Sequence, residues 1–334
     1  MTALELRTKK ERVLFGISAA VSAVAWIVIF VSIIGLAYSL LVAVAVLMAH
    51  ALLMAHVTGN GVRVSSGQLP EIWQKVQEAS RKLGLSAVPE VYIVQAGGIL
   101  NAFATKLLSR RFIIIYSDLL DACDVGEPGR ATELDFIIGH ELGHLAAGHL
   151  AWQWFLLPAR IVPLLGPAYS RAREYTCDLC GHAVVDNLEV SSRALTILAA
   201  GGRAGRKVNL DLFVEQVTDT GRFWMAIFEL NATHPFLSKR VAAIRASKGL
   251  ATRASVPRPF LSYPLAPILG IAGGGPILLV AIATYAVILG AMPSLMKKYG
   301  LKRPDKTVST QVEPRLDDAQ LPADDQGAPP ATRQ

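Results

Sequence analysis

Charge is what this chain has least of. Only 18% of its 334 residues are Asp, Glu, Lys or Arg, against about 25% in ordinary soluble domains. The shortage is concentrated in two places. Val13–Val57, 45 residues, contains no such residue, and neither does Pro259–Met296, 38 residues. Elsewhere charge has the density of a soluble domain. This excludes a fully soluble protein and a disordered chain, and two such blocks are too few for a many-spanning transporter. Cysteine is scarce too. Cys123, Cys177 and Cys180 are an odd number without a framework pattern, which fits a reducing compartment. Cys177 and Cys180 form a CxxC inside a helix-like run and are read as small buried side chains. No run of Lys and Arg is interleaved with aromatics, so nucleic acid is not expected as a partner despite the formal net charge of +7.

About 20 apolar residues cross the hydrocarbon core as a helix. The first block therefore holds two helices, placed near Leu14–Ile34 and Leu36–Val57, with a turn around Gly35–Ser39. It is too long for the apolar core of a signal peptide. His50 and His56 are expected to be neutral imidazoles near an interface. Arg7, Lys9, Lys10 and Arg12 orient the N-terminus to the cytoplasm, and two spans return the chain there. The expected organisation is a cytoplasmic N-terminus at 1–12, a transmembrane hairpin at 13–57, a cytoplasmic domain at 58–258, a C-terminal transmembrane segment at 259–296 and a disordered tail at 297–334. A single span at 259–296 puts Lys297, Lys298, Lys302, Arg303 and Lys306 outside, against the positive-inside rule. A re-entrant hairpin keeps them inside, but its first arm is too short to span. The single span is the reading adopted.

Within the domain, Glu71–Leu83 carries a helical stripe of Ile72, Trp73, Val76 and Leu83. Val88–Val94 and Arg111–Tyr116 read as strands. Between them Gly97–Phe103 reads as a turn that becomes an exposed edge. Thr132-Glu133-Leu134-Asp135 is a capping pattern ahead of an apolar run. The helix it starts contains His140-Glu141-Leu142-Gly143-His144. His140 and His144 are four apart and share a face, the spacing at which two imidazoles hold one Zn²⁺ while the intervening glutamate reaches a metal-bound water. His149 does not complete a longer histidine motif. That pattern needs glycine at 147 and histidine at 150, where the chain has Ala147 and Leu150, so His149 reads as an ordinary polar helix end. Glu174 and Asp178 are also four apart, among apolar neighbours, and a buried carboxylate needs a partner or a metal. The economical reading makes Glu174 the third zinc ligand and Asp178 the acceptor for the N–H of a ligand histidine. His182 continues the same face.

His140-Glu141-Leu142-Gly143-His144 together with Glu174-xxx-Asp178 resembles the integral-membrane zinc metallopeptidases of the HtpX and CAAX-prenyl-protease type. Asn101-Ala102-Phe103-Ala104 and Thr233-His234-Pro235, with Arg240 following, resemble two further motifs of that family, in the same order. The resemblance spans roughly Pro70 to Arg245 and extends to the N-terminal hairpin. It implies an α+β fold: a mainly helical, zincin-like catalytic domain with a small sheet, plus transmembrane helices. It also implies one Zn²⁺ per chain and hydrolysis of peptide bonds, with Glu141 as base. His234 is then the donor to the developing oxyanion, and Asn101 and Arg240 are substrate contacts. One departure stands out. Members of the HtpX type usually place a membrane hairpin between the metal helix and the glutamate helix. Here Leu150–Ser170 is only 21 residues long and contains Pro158, Arg160, Pro163 and Pro167, so a re-entrant or interfacial element is expected.

The substrates implied are proteins or peptides, chiefly membrane proteins, met at the lipid bilayer. The location suits quality control at a bacterial plasma membrane. A dedicated processing peptidase of the maturation or prenyl-protein type is the alternative. A non-catalytic membrane scaffold is disfavoured because every expected metal and base residue is present.

Overall fold

The computed structural model describes residues 3–123, 126, 130–219, 222–250 and 254–270. The expected C-terminal span beyond 270 and the tail at 297–334 lie outside the described residues. The elements, in chain order, are α1 (Lys9–Val31), α2 (Ile33–Asn60), β1 (Val62–Arg63), α3 (Pro70–Lys82), β2 (Glu90–Val94), β3 (Ala102–Leu107), β4 (Arg110–Tyr116), α4 (Ser117–Ala122), α5 (Glu133–Ala146), α6 (Leu157–Ile161), α7 (Leu165–Val185), α8 (Leu188–Gly205), α9 (Leu210–Asp219), α10 (Phe223–Asn231), α11 (Leu237–Ser247) and α12 (Ser262–Gly270). A mainly helical domain with one small sheet was expected, and that is its class.

Helices α1 and α2 are long and apolar enough to cross a membrane. The first starts before its apolar run because Thr8 caps it, accepting the Glu11 N–H at 3.2 Å. The break falls at Ser32, whose hydroxyl accepts the Gly35 N–H at 3.1 Å, earlier than the expected turn. Burial along α1 is inverted. Its buried residues are Glu11, Ser18 and Ser22, while Val24, Ile27, Val28 and Phe30 are exposed. The polar stripe faces protein and the apolar residues face outward, the reverse of a water-facing helix.

The sheet has the order β1-β2-β4-β3, with β2 and β4 parallel and both outer pairs antiparallel. Its central strands read as continuous apolar runs because both faces are covered. Val91, Ile93, Ile113 and Ile115 join the main core beneath α3 and α5. Tyr92, Val94, Phe112 and Ile114 pack on Met54 and Val57 of α2. The segment expected as a turn with an exposed edge continues into a full strand, β3, in register with β4 from Ala102↔Ile115 to Leu107↔Arg110.

Helix α5 begins as the capping pattern requires. The Asp135 carboxylate accepts the Thr132 N–H and hydroxyl at 2.8 and 2.9 Å, and Lys75 donates to the same oxygen at 2.7 Å. Its partner is α7, and the two helices meet at glycines. A Cβ on Gly139 would lie 2.9 Å from the Cα of Gly181, and one on Gly143 2.9 Å from the Cβ of Cys180. Leu150–Ser170, expected to be re-entrant or interfacial, holds the five-residue α6 and the start of α7. It lies along α1. Trp26 donates to the Phe155 carbonyl at 2.8 Å, the Ala159 N–H donates to Ser22 at 3.2 Å, and Phe15 meets Trp152 edge-on at 5.7 Å.

Gly181→Ala would place a methyl group 2.6 Å from the Phe136 carbonyl oxygen. Overpacking of this kind costs roughly 1–3 kcal/mol. The variant is expected to melt several degrees below the native protein in detergent. Gly59→Ala, whose added methyl meets nothing within 4 Å, is expected to melt with it.

Candidate metal centre

His140, Glu141 and His144 stand on α5 and Glu174 on α7 at the floor of an open cleft of about 430 Å³, with Asp178 of α7 buried behind them. The i, i+4 spacing aligns both histidines on the side of α5 that faces α7. His140 Nε2 lies 3.4 Å from Glu174 Oε2, and His144 Nε2 lies 3.5 Å from Glu174 Oε1. Ligand atoms at about 2.0–2.1 Å from a tetrahedrally held zinc ion are separated by about 3.3 Å. The three side chains therefore already stand at the spacing of a zinc ligand set. Their remaining polar atoms are engaged elsewhere, which leaves the Nε2 atoms for a metal. His140 Nδ1 meets Asp178 Oδ1 at 3.0 Å, and His144 Nδ1 meets His149 Nδ1 at 3.1 Å.

Cys177 also offers its sulfur within 4.8 Å of the two histidines. It is fully buried, does not line the cleft, and lies 3.6 Å from His149 Nδ1. Burial pushes its thiol well above the ordinary range, so the thiolate a metal needs is disfavoured. Glu174, by contrast, lines the cleft and faces both histidines with its two oxygens.

The protonation pattern follows from burial and charge. Burial opposes the charge on Glu174, but contact with His140 and the proximity of His144 and Arg240 hold its carboxyl well below the usual range. Burial opposes protonation of His140, yet the hydrogen bonds to Asp178 and Glu174 win and push it up to about 9. His144, with no such carboxylate hydrogen bond, is held far below its ordinary value by burial. Burial, reinforced by the Glu174 charge, raises Glu141 to about 7. Glu141 Oε2 accepts the Ala104 N–H of β3 at 2.8 Å, which places the sheet edge directly against the cleft.

Other residues singled out in the sequence fall as follows. His234 is two-thirds exposed, with Nε2 3.6 Å from Glu174 Oε2 and Nδ1 3.0 Å from the Thr233 hydroxyl. Asn101 lines the cleft, and its side-chain oxygen accepts the Ala102 N–H at 3.0 Å. Arg240, expected as a substrate contact, lines the cleft. It is buried, and its Nε and terminal nitrogen hold the two Asp178 oxygens at 2.8 and 2.6 Å. The fork geometry of a guanidinium suits that bidentate grip. His182 turns to Ser191 on α8 at 2.8 Å. His149 corrects the expectation of an ordinary polar helix end. It is 1% exposed and lies between His144 and Glu11 of α1. The part played by Glu11 had no local signal in the sequence.

Arg240→Met would strand the Asp178 and Glu174 carboxylates in a buried site. Removing one partner of a buried ion pair costs about 3–5 kcal/mol, and a matching fall in the denaturant midpoint is expected. Burial opposes the Asp178 charge, but the nearby Arg240 charge holds its carboxyl below the usual range. This stabilisation is therefore complete above the ordinary carboxylate pKa and is lost as pH falls through the depressed one. The gap between native and variant is expected to close in acid.

Residues 66–162 and 152–248 match peptidase family M48. The plastoglobule-localized metallopeptidase 48 of Arabidopsis thaliana is 29% identical over 175 residues, covering 47% of this chain and 48% of that protein. The chain thus spans about half the length of this relative. No solved structure matches it. With a family match across more than half its residues, the chain belongs to peptidase family M48, whose members are zinc-dependent metallopeptidases.

Proposed function

We infer that the protein is a membrane-bound zinc endopeptidase that cleaves protein substrates beside the bilayer. One observation carries the reading. Two imidazole Nε2 atoms and a carboxylate converge at 3.4 and 3.5 Å on the floor of an open cleft, with a second carboxylate beside them. In this reading His140, His144 and Glu174 hold the metal. When bound, zinc supplies Lewis acidity to polarise a carbonyl and acidify water.

The rest is work for this chain's own groups. Glu141 takes the proton of the attacking water and delivers it to the leaving amine. His234, exposed at the cleft mouth, donates to the substrate oxygen as negative charge develops there. Asp178 orients His140, and Arg240 keeps Asp178 ionised and aimed. Strand β3 ends the sheet on the cleft side, so an extended peptide adds to its edge near Asn101–Ala104.

The membrane setting is supported by α1 and α2 and by Leu150, Gln153 and Arg160, which line the cleft from the segment packed along α1. With the catalytic domain on the cytoplasmic face of a bacterial plasma membrane, unfolded or damaged membrane proteins are the substrates at hand. Quality control is then the role.

Detergent-purified protein is expected to hydrolyse casein or a membrane-protein substrate with zinc and to stop with chelator. Glu141→Gln is expected to retain zinc but lose about 10²–10⁴-fold in rate. Equal hydrolysis by the variant would refute the mechanism. In cells, quality control predicts that many membrane-protein fragments vanish in Glu141→Gln. Loss of a single cleavage product would point to a processing peptidase.

The metal-free centre keeps a proton on His140 up to about pH 9, and a metal must displace it. Apparent zinc affinity, measured by chelator competition, is expected to climb with pH from neutrality to about 9 and then level off. A flat profile over that range would show that zinc displaces no such proton.

A further inference from the structure

We propose that Glu11 and His149 are positioning residues that fix the imidazole of His144, so that the first membrane helix is part of the metal centre. The inference rests on the zinc reading above and adds two residues that no motif names.

The geometry is a continuous hydrogen-bonded chain. Past the end of α5, Gly148 turns back in the left-handed region at φ +74°. That turn folds His149 beneath His144, with ring centroids 5.2 Å apart. His149 Nδ1 meets His144 Nδ1 at 3.1 Å, and His149 Nε2 meets Glu11 Oε1 at 3.0 Å. Glu11 is fully buried. It is also ion-paired with Arg7, whose Nε lies 3.0 Å from Oε1, and accepts from the Thr176 hydroxyl on α7. The end of α1 is pinned on both sides: Arg7 donates to the Ala147 carbonyl at 3.0 Å, and the Thr8 N–H donates to Thr176 at 3.3 Å. The Cys177 sulfur, at 3.6 Å from His149 Nδ1, is the more distant and weaker partner.

The direction of the chain follows from what each group can do. A carboxylate only accepts, so His149 carries its hydrogen on Nε2. The other nitrogen of that neutral ring then accepts, so His144 donates from Nδ1. This tautomer leaves His144 Nε2 with a free lone pair facing Glu174. His140 is oriented in the same way by Asp178 directly. The two histidines are thus aimed by carboxylates of different origin, one from α7 and one from α1 through a single intervening imidazole. Partners of this kind, behind a metal ligand, set its tautomer and basicity and typically change metal affinity about 10–100-fold.

The test measures zinc affinity by chelator competition on the full chain in detergent, together with the melting temperature of the metal-free protein. Glu11→Leu and His149→Phe are expected to bind zinc about 10–100-fold more weakly and to shift the visible absorption of the cobalt-substituted centre. Ser22→Ala loosens the contact of α1 with Ala159 without touching the chain, and is expected to bind zinc as the native protein does. Should Glu11→Leu fail to fold, Glu11→Met and His149→Leu, which also remove the hydrogen bonds of the chain, read the same affinity. Native affinity in the folded variants overturns the proposal. An equal loss in Ser22→Ala also overturns it, because it shows general loosening. A native protein that binds no zinc fails the reading on which the proposal rests, and is distinguished by that result alone.

Discussion

The approach of α5 to α7 governs the rest of this molecule. At Gly139, Gly143 and Gly181 the two helices lie closer than side chains would allow, with an added Cβ meeting the facing helix at 2.6–2.9 Å. That distance brings a carboxylate of one helix within 3.5 Å of two imidazoles of the other. With ordinary residues at the contact, helix axes stand 8–10 Å apart, and Glu174 would no longer reach both rings. The glycine inside His140-Glu141-Leu142-Gly143-His144 is therefore part of the site's geometry even though it has no side chain to contribute.

Close packing brings a second consequence. It buries Glu141, Glu174 and Asp178 together, and buried charges must be matched. Helix α11 supplies Arg240, and α1 closes the far side through Glu11 and His149. Apolar residues of α1 point outward, while its Glu11, Ser18 and Ser22 are buried against the domain. On α2 the buried residues are apolar, and Met54 and Val57 cover one face of the sheet. Helices α1 and α2, long and apolar enough to cross a membrane, are thus also packing elements of the domain, and the separate domains suggested by the charge pattern are joined by one continuous set of contacts.

What the sequence reveals, and what it hides, divides along the range of the interaction. The histidines and carboxylates at i, i+4 are legible because helical periodicity alone aligns them, and Thr132 and Asp135 because capping is local. The two central strands announce themselves as unbroken apolar runs. Strand β3 does not: each of its residues is only half-buried, so neither alternation nor an apolar run marks it beyond the exposed-edge reading of its start. His149 and Arg240 look like surface residues until the fold buries them. Glu11, set among the chain's first cluster of positive charge, is 138 positions from its imidazole partner. No window along the chain contains both.

The charge balance of the centre explains why its protons sit where they do. Three carboxylates face one guanidinium, so the ionised cluster carries an excess of negative charge in a buried place. The polypeptide answers by holding a proton on His140 up to about 9 and by raising Glu141 to about 7. A divalent cation answers the same demand with both charges at one point. With that charge supplied, neither a protonated His140 nor a neutral Glu141 would be needed to balance the cluster. The raised carboxyl of Glu141 thus reflects the same imbalance that favours a cation at this place, and Arg240 reduces it.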